Sequence, residues 1–336
     1  MERKRDITNH KESLQGYLKI IKEYRWMIAY LAVIIIIIEI LRLAPKYLLG
    51  YIVDQGALFT SGDIAQSVLI YSFWIAFYVF VTVTVLRIIF TYIREVKSMV
   101  LFIEMTRNVK KKFFNHLISL DAECHNTTKT GSIISRLSRG SNAVQGLSET
   151  FLFMIFPVIV QLIIIAISLA YFSILPAIAF VITSVVFVTY SIWLQQKQKE
   201  DKLLYNNAED REKGIMSDYF LNVESIKYFG KDKKIKQSYD KITHETKAAE
   251  YKYLMWFRFL SSGQQIILGI GTIFVLLFPL LDFIDGTISI GTISFIYTAY
   301  LGYIGAVFAF TSGIRSYYRN MADLESMFEY LSLIHI

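Results

Sequence analysis

Three guanidinium groups carry the chemistry that stands out in this chain: Arg87, Arg139 and Arg315 lie within or just beyond long apolar segments. Charge in such surroundings is scarce and needs a partner, and a guanidinium offers a rigid fork of donors that suits a carboxylate or phosphate. A bridge to a neighbouring helix or a lipid headgroup uses the same donors, so the residues alone leave both uses open. Gln264 places a further strong donor at the start of another apolar run. Tyr297, Tyr300, Tyr303, Phe308 and Phe310 concentrate rings in a single apolar segment. At 1.5 Å per residue Tyr297 is about 13 Å inside that segment, too deep for an interfacial aromatic belt. A wall touching an amphipathic or aromatic solute is the preferred reading, with ordinary interhelical packing as the alternative.

Other groups carry less. Cys124 and His125 are adjacent, and two neighbouring ligands without further Cys or an acidic cluster make a poor metal site, so no metal is expected. The single cysteine excludes an internal disulfide. Glu39 and Arg42 are three residues apart on one helix face, where a mutual ion pair is the economical arrangement of charges inside an apolar run. Pro45 should bend the same helix. No Gly-x-x-x-x-Gly-Lys-[Ser/Thr] loop able to cradle phosphates occurs in the sequence.

The elements that must position these groups are legible from charge spacing. Trp26 to Val53, Ser67 to Phe90, Phe259 to Leu281 and Ile288 to Ile314 are apolar runs. Phe151 to Gln196 holds no Asp, Glu, Lys or Arg over 46 residues, about twice what one crossing of a bilayer needs. It therefore reads as two helices turning near Ser173-Ile174-Leu175-Pro176. Continuous rather than alternating apolar character favours helices over barrel strands. The fold class is an all-α membrane protein with six transmembrane helices. Of the 35 Lys and Arg, all but Arg42, Lys46 and Arg87 fall in the N-terminal segment, the two long loops or the tail. The positive-inside rule then puts both termini and both long loops in the cytosol. The same topology accounts for the net charge of +7, which leaves no case for a nucleic-acid partner.

Residues 15–26 space apolar and basic side chains like an interfacial elbow helix. The first long loop keeps helical periodicity from Arg94 to about Leu120, breaks at His125 to Gly131 and returns from Ser132. The second leaves through Gln195 to Asp210, is expected to turn near Gly214 to Asn222, and returns through Lys227 to Trp256. Both are long cytosolic helical extensions, suited to delivering a signal to a cytosolic partner rather than to linking spans.

These residues carry a resemblance. His116-Leu117, Leu120-Asp121, His125, Thr130-Gly131 and Ser135-Arg136-Leu137-Ser138-Arg139-Gly140 resemble the first intracellular loop of type I ATP-binding-cassette exporters. Leu221 to Phe229, Ser262-Gly263-Gln264 and Asp323 to Phe328 resemble the mitochondrial iron–sulfur-related and heavy-metal-tolerance branch. The resemblance covers roughly residues 20–331. It implies a swapped dimer, homodimer or heterodimer, of half-transporters that export a small-molecule solute by alternating access. It also implies a nucleotide-binding domain holding ATP and Mg outside this chain, since the sequence is expected to stop before that domain. Segments 1–25, 26–317 and 318–336 are then N-terminus with elbow, six-helix domain and start of a linker. Leu260 to Gln265 imitates the cassette signature Leu-Ser-Gly-Gly-Gln but opens an apolar span, where it cannot contact ATP.

The resemblance further matches Arg139, Asn206 and Gln264 to polar positions that bind glutathione-type ligands in the branch. The substrate set expected here is Arg139, Asn206, Gln264, Arg315, Tyr300 and Tyr303. The surface coupled to the ATPase is expected at His125, Gly214, Ser217, Asp218 and Asn222. Ser135, Phe308 and Thr311 depart from the branch pattern, which points away from glutathione itself and toward an amphipathic, anionic or thiol-containing solute. The membrane expected is a bacterial plasma membrane. The alternatives are a multidrug, lipid or peptide exporter of the same superfamily, or an ion-coupled carrier, which would carry midplane charges and interrupted helices.

Overall fold

A computed structural model describes residues 2–118 and 130–333. Its elements are α1 (Glu2–Glu23), α2 (Arg25–Ser61), α3 (Gln66–Ile118), α4 (Thr130–Glu149), a π-helical turn (Thr150–Ile155), α5 (Phe156–Phe172), α6 (Ile174–Leu221), α7 (Val223–Tyr228), α8 (Asp232–Ile284) and α9 (Ile290–Leu333). Runs of β-branched residues such as Ile34 to Ile38 are helical here because a backbone in lipid must satisfy its own hydrogen bonds. Six stretches are long and apolar enough to cross a membrane: Arg25–Ser61, Gln66–Asn115, Leu137–Phe172, Ile174–Gln198, Asp232–Ile284 and Ile290–Glu325.

The chain forms two compact units. In the first, residues 1–181 and 273–336, α2 packs on α3, α5 and α9, while α9 also packs on α1, α4 and the π-helical turn. Its principal core joins Tyr17, Leu31, Leu101, Met105, Val144, Leu147, Leu152, Met321 and Leu324. That core lies toward the side carrying α1, the α3 and α4 extensions and the end of α9. Water is the competing solvent there, and each fully buried large apolar side chain contributes about 1.5–3 kcal/mol. At the opposite side, that of the short turns, association depends on close backbone approach. Gly50 of α2 lies against Gly291 of α9, and a Cβ on either would overlap the other's carbonyl oxygen.

The second unit, residues 182–272, is an antiparallel pairing of α6 with α8, closed by α7. Its partners advance in step along both helices: Tyr219 with Ser238 at 3.1 Å, Arg211 with Glu245 at 3.1 Å, and Gln264 with Ser191 at 2.8 Å. The rings of Tyr205 and Tyr253 stack at 5.7 Å between these rungs. Outside lipid such a pair has little apolar core, so aromatic and polar rungs set its register.

Three expectations about boundaries change. The helix before the first span runs Glu2–Glu23, ending at Tyr24, and Trp26 belongs to α2. The turn expected near Gly214 to Asn222 is confined to the last residue of that range: α6 continues to Leu221, and the chain turns at Asn222 and again at Phe229 to Lys231. Gly214 costs a helix about 1 kcal/mol relative to Ala, and Lys213 pairing with Glu209 at 2.7 Å and Tyr219 with Ser238 hold the helix through it. Gly230, with φ +62°, supplies the left-handed residue that ends the short α7. The turn between α5 and α6 narrows to Ser173, with Pro176 inside the first turn of α6.

Candidate functional site

Helix α9 carries half of the expected solute contacts. Arg315 is exposed, and its Nη2 donates to Ser312 Oγ at 3.1 Å. One residue on, Ser316 takes the Thr150 hydroxyl at 2.9 Å, which fixes α9 against the π-helical turn. That widened turn has a local cause. Phe156 N–H reaches back five residues to Phe151 O, and the next residue, Pro157, has no N–H to offer Phe153. Arg139 on α4 keeps a side chain 53% exposed, and its Nε lies 3.9 Å from Asp323 Oδ1 on α9. The structure thus brings Arg139 and Arg315 to the same helix, with Asp323 eight residues or about 12 Å further along it.

Tyr300 and Tyr303 are buried rather than lining open space. Their rings meet Phe180 edge-on, at 6.3 and 4.7 Å between centroids. Tyr297 and Phe308 on the same helix are 40% and 37% exposed, so these two present aromatic surface. In the second unit Gln264 is buried and its Nε2 donates to Ser191 Oγ, whereas Asn206 is exposed on α6. Leu260 to Gln265 is continuous helix in α8, with Gly263 pressed against the Tyr190 ring. An uninterrupted helix with its glycine packed this way has no loop to wrap around a phosphate.

The coupling residues divide in the same manner. Gly214, Ser217 and Asp218 are exposed positions on α6, and Asn222 stands at its end with Nδ2 donating to Asp218 O at 2.8 Å. His125 and Cys124 lie outside the described residues. The apolar surface at the end of this hairpin is larger than sequence reasoning identified: Phe220, Leu221, Tyr228 and Phe229 are 70%, 80%, 87% and 70% exposed. The available signal was the apolar and aromatic content of Leu221 to Phe229, whose side chains had no obvious partner along the helix.

Charged contacts not anticipated complete the picture. Asp201, a buried residue of α6, accepts Trp256 Nε1–H at 2.6 Å and Lys252 Nζ–H at 2.8 Å. The Lys252 and Trp256 hydrogen bonds hold its carboxyl below the usual range. Tyr17 of α1 is buried against Ser148 at 3.0 Å, and burial pushes its phenol up to about 12. The expected pair inside α2 is present, with Arg42 Nη1 3.2 Å from Glu39 Oε2.

The family profile described as the ABC transporter transmembrane region matches residues 28–317. This chain belongs to that family. Among relatives of the ABC transmembrane domain, the mitochondrial iron-sulfur clusters transporter ATM1 of Chaetomium globosum is 24% identical over 66% of this chain and 37% of its own length. ABC transporter B family member 6 of Dictyostelium discoideum is 28% identical over 67% and 34%, and heavy metal tolerance factor 1 of Caenorhabditis elegans 25% over 68% and 29%. The chain therefore spans about a third of the length of these relatives. A solved bacterial Atm1-family ABC exporter with ATP bound shares the fold, with a TM-score of 0.68 and 18% identity over 92% of this chain and 53% of that one. The ABC transmembrane domain is accordingly an integral, multi-pass membrane protein with the type I exporter fold.

Proposed function

We propose that this domain is the membrane part of an ATP-driven exporter that moves amphipathic anions, thiol-containing ones included, out of the cytosol. Two such domains, identical or related, enclose the pathway, and nucleotide-binding domains bind ATP with Mg and supply the hydrolysis. The observation that carries the anionic preference is that Arg139 and Arg315 keep exposed side chains on α4 and α9. Relatives named for iron–sulfur cluster transport and heavy-metal tolerance support the thiol class. The basic flanks support a cytosolic location for both termini and both extensions. We assign the domain to a bacterial plasma membrane, a location to be read by protease access to the termini in bacterial spheroplasts.

The exposed end of the second extension, Asn222 to Lys231, is the surface that docks on a nucleotide-binding domain, the partner subunit's in a swapped dimer. An aromatic and aliphatic tip of this exposure suits an apolar groove on a soluble partner. Cysteines placed at Leu221 or Phe229 should crosslink to that domain across the dimer, and links confined to one subunit would remove the swap.

The decisive experiment is solute-stimulated ATPase activity of the complete transporter with Arg139→Ala and Arg315→Ala. Each change should weaken stimulation by organic anions and thiol peptides about tenfold or more, the worth of one charge-assisted contact, with basal hydrolysis kept. An unchanged anion response in both, or stimulation by hydrophobic cations alone, would favour a multidrug-type exporter.

A further inference from the structure

A second charged site lies far from Arg139 and Arg315, on the side of the short turns. Tyr47 of α2 meets Phe295 of α9 edge-on at 6.0 Å, and Phe295 meets Phe172 at 5.6 Å, one residue before the Ser173 turn. The neighbouring rung joins Lys46 to α9: its Nζ donates to Ala299 O at 3.4 Å. One turn inward on α2 stands Arg42, with a side chain 40% exposed, and beyond it Glu39, whose side chain is 1% exposed. Ala299 and Arg315 are sixteen residues apart on α9, about 24 Å at helical rise.

The charges on this rung do not balance. Glu39 is the carboxylate of the set and lies against Arg42. Arg94 of α3, the other cation nearby, has Glu95 at 3.5 Å and the Phe153 ring at 4.8 Å. Among the described residues Lys46 has no carboxylate within ion-pair distance, and its one bond, to a neutral carbonyl, is longer than the usual N–H···O range. A half-buried ammonium in a span is costly without an anion. Room for it is built in, because a Cβ at Gly302 would overlap the Lys46 ammonium. Both Glu39 oxygens are buried without a hydrogen-bond partner, so the Glu39–Arg42 pair is held by charge alone and is open to exchange.

We propose that Lys46 and Arg42 form a second anion-binding site, between α2 and α9 on the turn side. It takes the carboxylate or phosphate of an amphipathic solute, with the exposed Tyr47 ring, backed by the buried Phe295, receiving the apolar body. Glu39 is its internal competitor: it occupies Arg42 when the site is empty and yields it to the incoming anion. Under the exporter reading this is the release end of the path, but the binding site itself stands whether or not Arg139 and Arg315 contact solute.

The test titrates the full 336-residue chain, in phosphatidylcholine nanodiscs, with N-dansyl-glutamate, using uncharged dansylamide as control. Lys46→Gln should weaken dansyl-glutamate binding about tenfold, as loss of one charge-assisted contact does, while Lys46→Arg keeps it and dansylamide is unaffected. Glu39→Gln should tighten binding severalfold by releasing Arg42, a gain that a purely structural carboxylate would not produce. Wild-type affinity in Lys46→Gln, or no gain in Glu39→Gln with the thermal midpoint preserved, overturns the site. If Arg139→Ala and Arg315→Ala lose binding while Lys46→Gln does not, this inference fails and the anion cavity of the exporter reading stands; the reverse pattern fails that cavity and keeps this site. Phosphatidylglycerol nanodiscs separate the sources of the anion: abolition of the Lys46 effect there would assign the site to a lipid headgroup and overturn the solute assignment.

Discussion

Asp54 near the end of α2 accepts the backbone N–H of Gly291 at 2.7 Å, in the first turn of α9. Its second oxygen takes the Ser289 hydroxyl at 2.7 Å, and Ser289 Oγ in turn accepts Thr292 N–H at 3.1 Å as the cap of that helix. One carboxylate thus satisfies an orphan donor, complements the positive end of a helix and ties the first span to the sixth. Asp54→Ala should lower stability by about 1–2 kcal/mol, the usual worth of a cap with its charge, and Asp54→Asn by less. Thermal unfolding in nanodiscs reads both, and equal midpoints for wild type and Asp54→Ala would show that the contact contributes nothing.

The Gly50–Gly291 crossing one turn away is intolerant of any side chain. Gly50→Ala puts a methyl into the Gly291 carbonyl, and overpacking of this kind costs about 1–3 kcal/mol. Gly56→Ala, on the same helix with nothing within 4 Å of its Cβ, should be neutral or slightly stabilising. A comparison of denaturant midpoints for the two variants decides whether the helices meet as closely as described.

Asp201 gives the α6–α8 extension a defined acid limb. Its folded carboxyl is held below the ordinary value by Lys252 and Trp256, so its stabilising effect is fully present above the unfolded value of about 3.9. That effect is lost as pH falls through the depressed value in the folded state. Hydrogen exchange of the extension, followed from neutral pH downward, should show protection falling below the ordinary carboxylate range. In Asp201→Asn that part of the acid dependence should be gone and protection at neutral pH reduced. An acid limb unchanged by the substitution would assign it to other groups.

Much of the architecture was legible in the residues. The charge-free stretch from Phe151 to Gln196 cannot be one crossing, and the break falls at Ser173 as its length required. The Glu39–Arg42 pair followed from a three-residue spacing on one helix. The end of the second extension was misplaced because Gly214 looks like a turn signal when read locally. Its cost is small beside the cross-helix rungs that flank it, and those rungs depend on which residue of α8 stands opposite. Tyr300 and Tyr303 illustrate the same gap: depth in a span can be counted, but the edge-on Phe180 that encloses them comes from another helix.

Sequence by itself determined that this protein is helical, has six segments fit to cross a membrane and carries two long basic extensions. Solvent preference and backbone satisfaction act on each segment independently, so composition along the chain is enough. Only the tertiary structure decided which groups meet: Asp54 with the start of α9, Asp201 with Lys252 and Trp256, and Lys46 with Ala299 beside Gly302. These contacts join residues 51 to 253 positions apart, and their existence depends on helix rotation and offset. Local periodicity narrows the facing side of each helix but not the register between two of them, which packing of the whole set fixes.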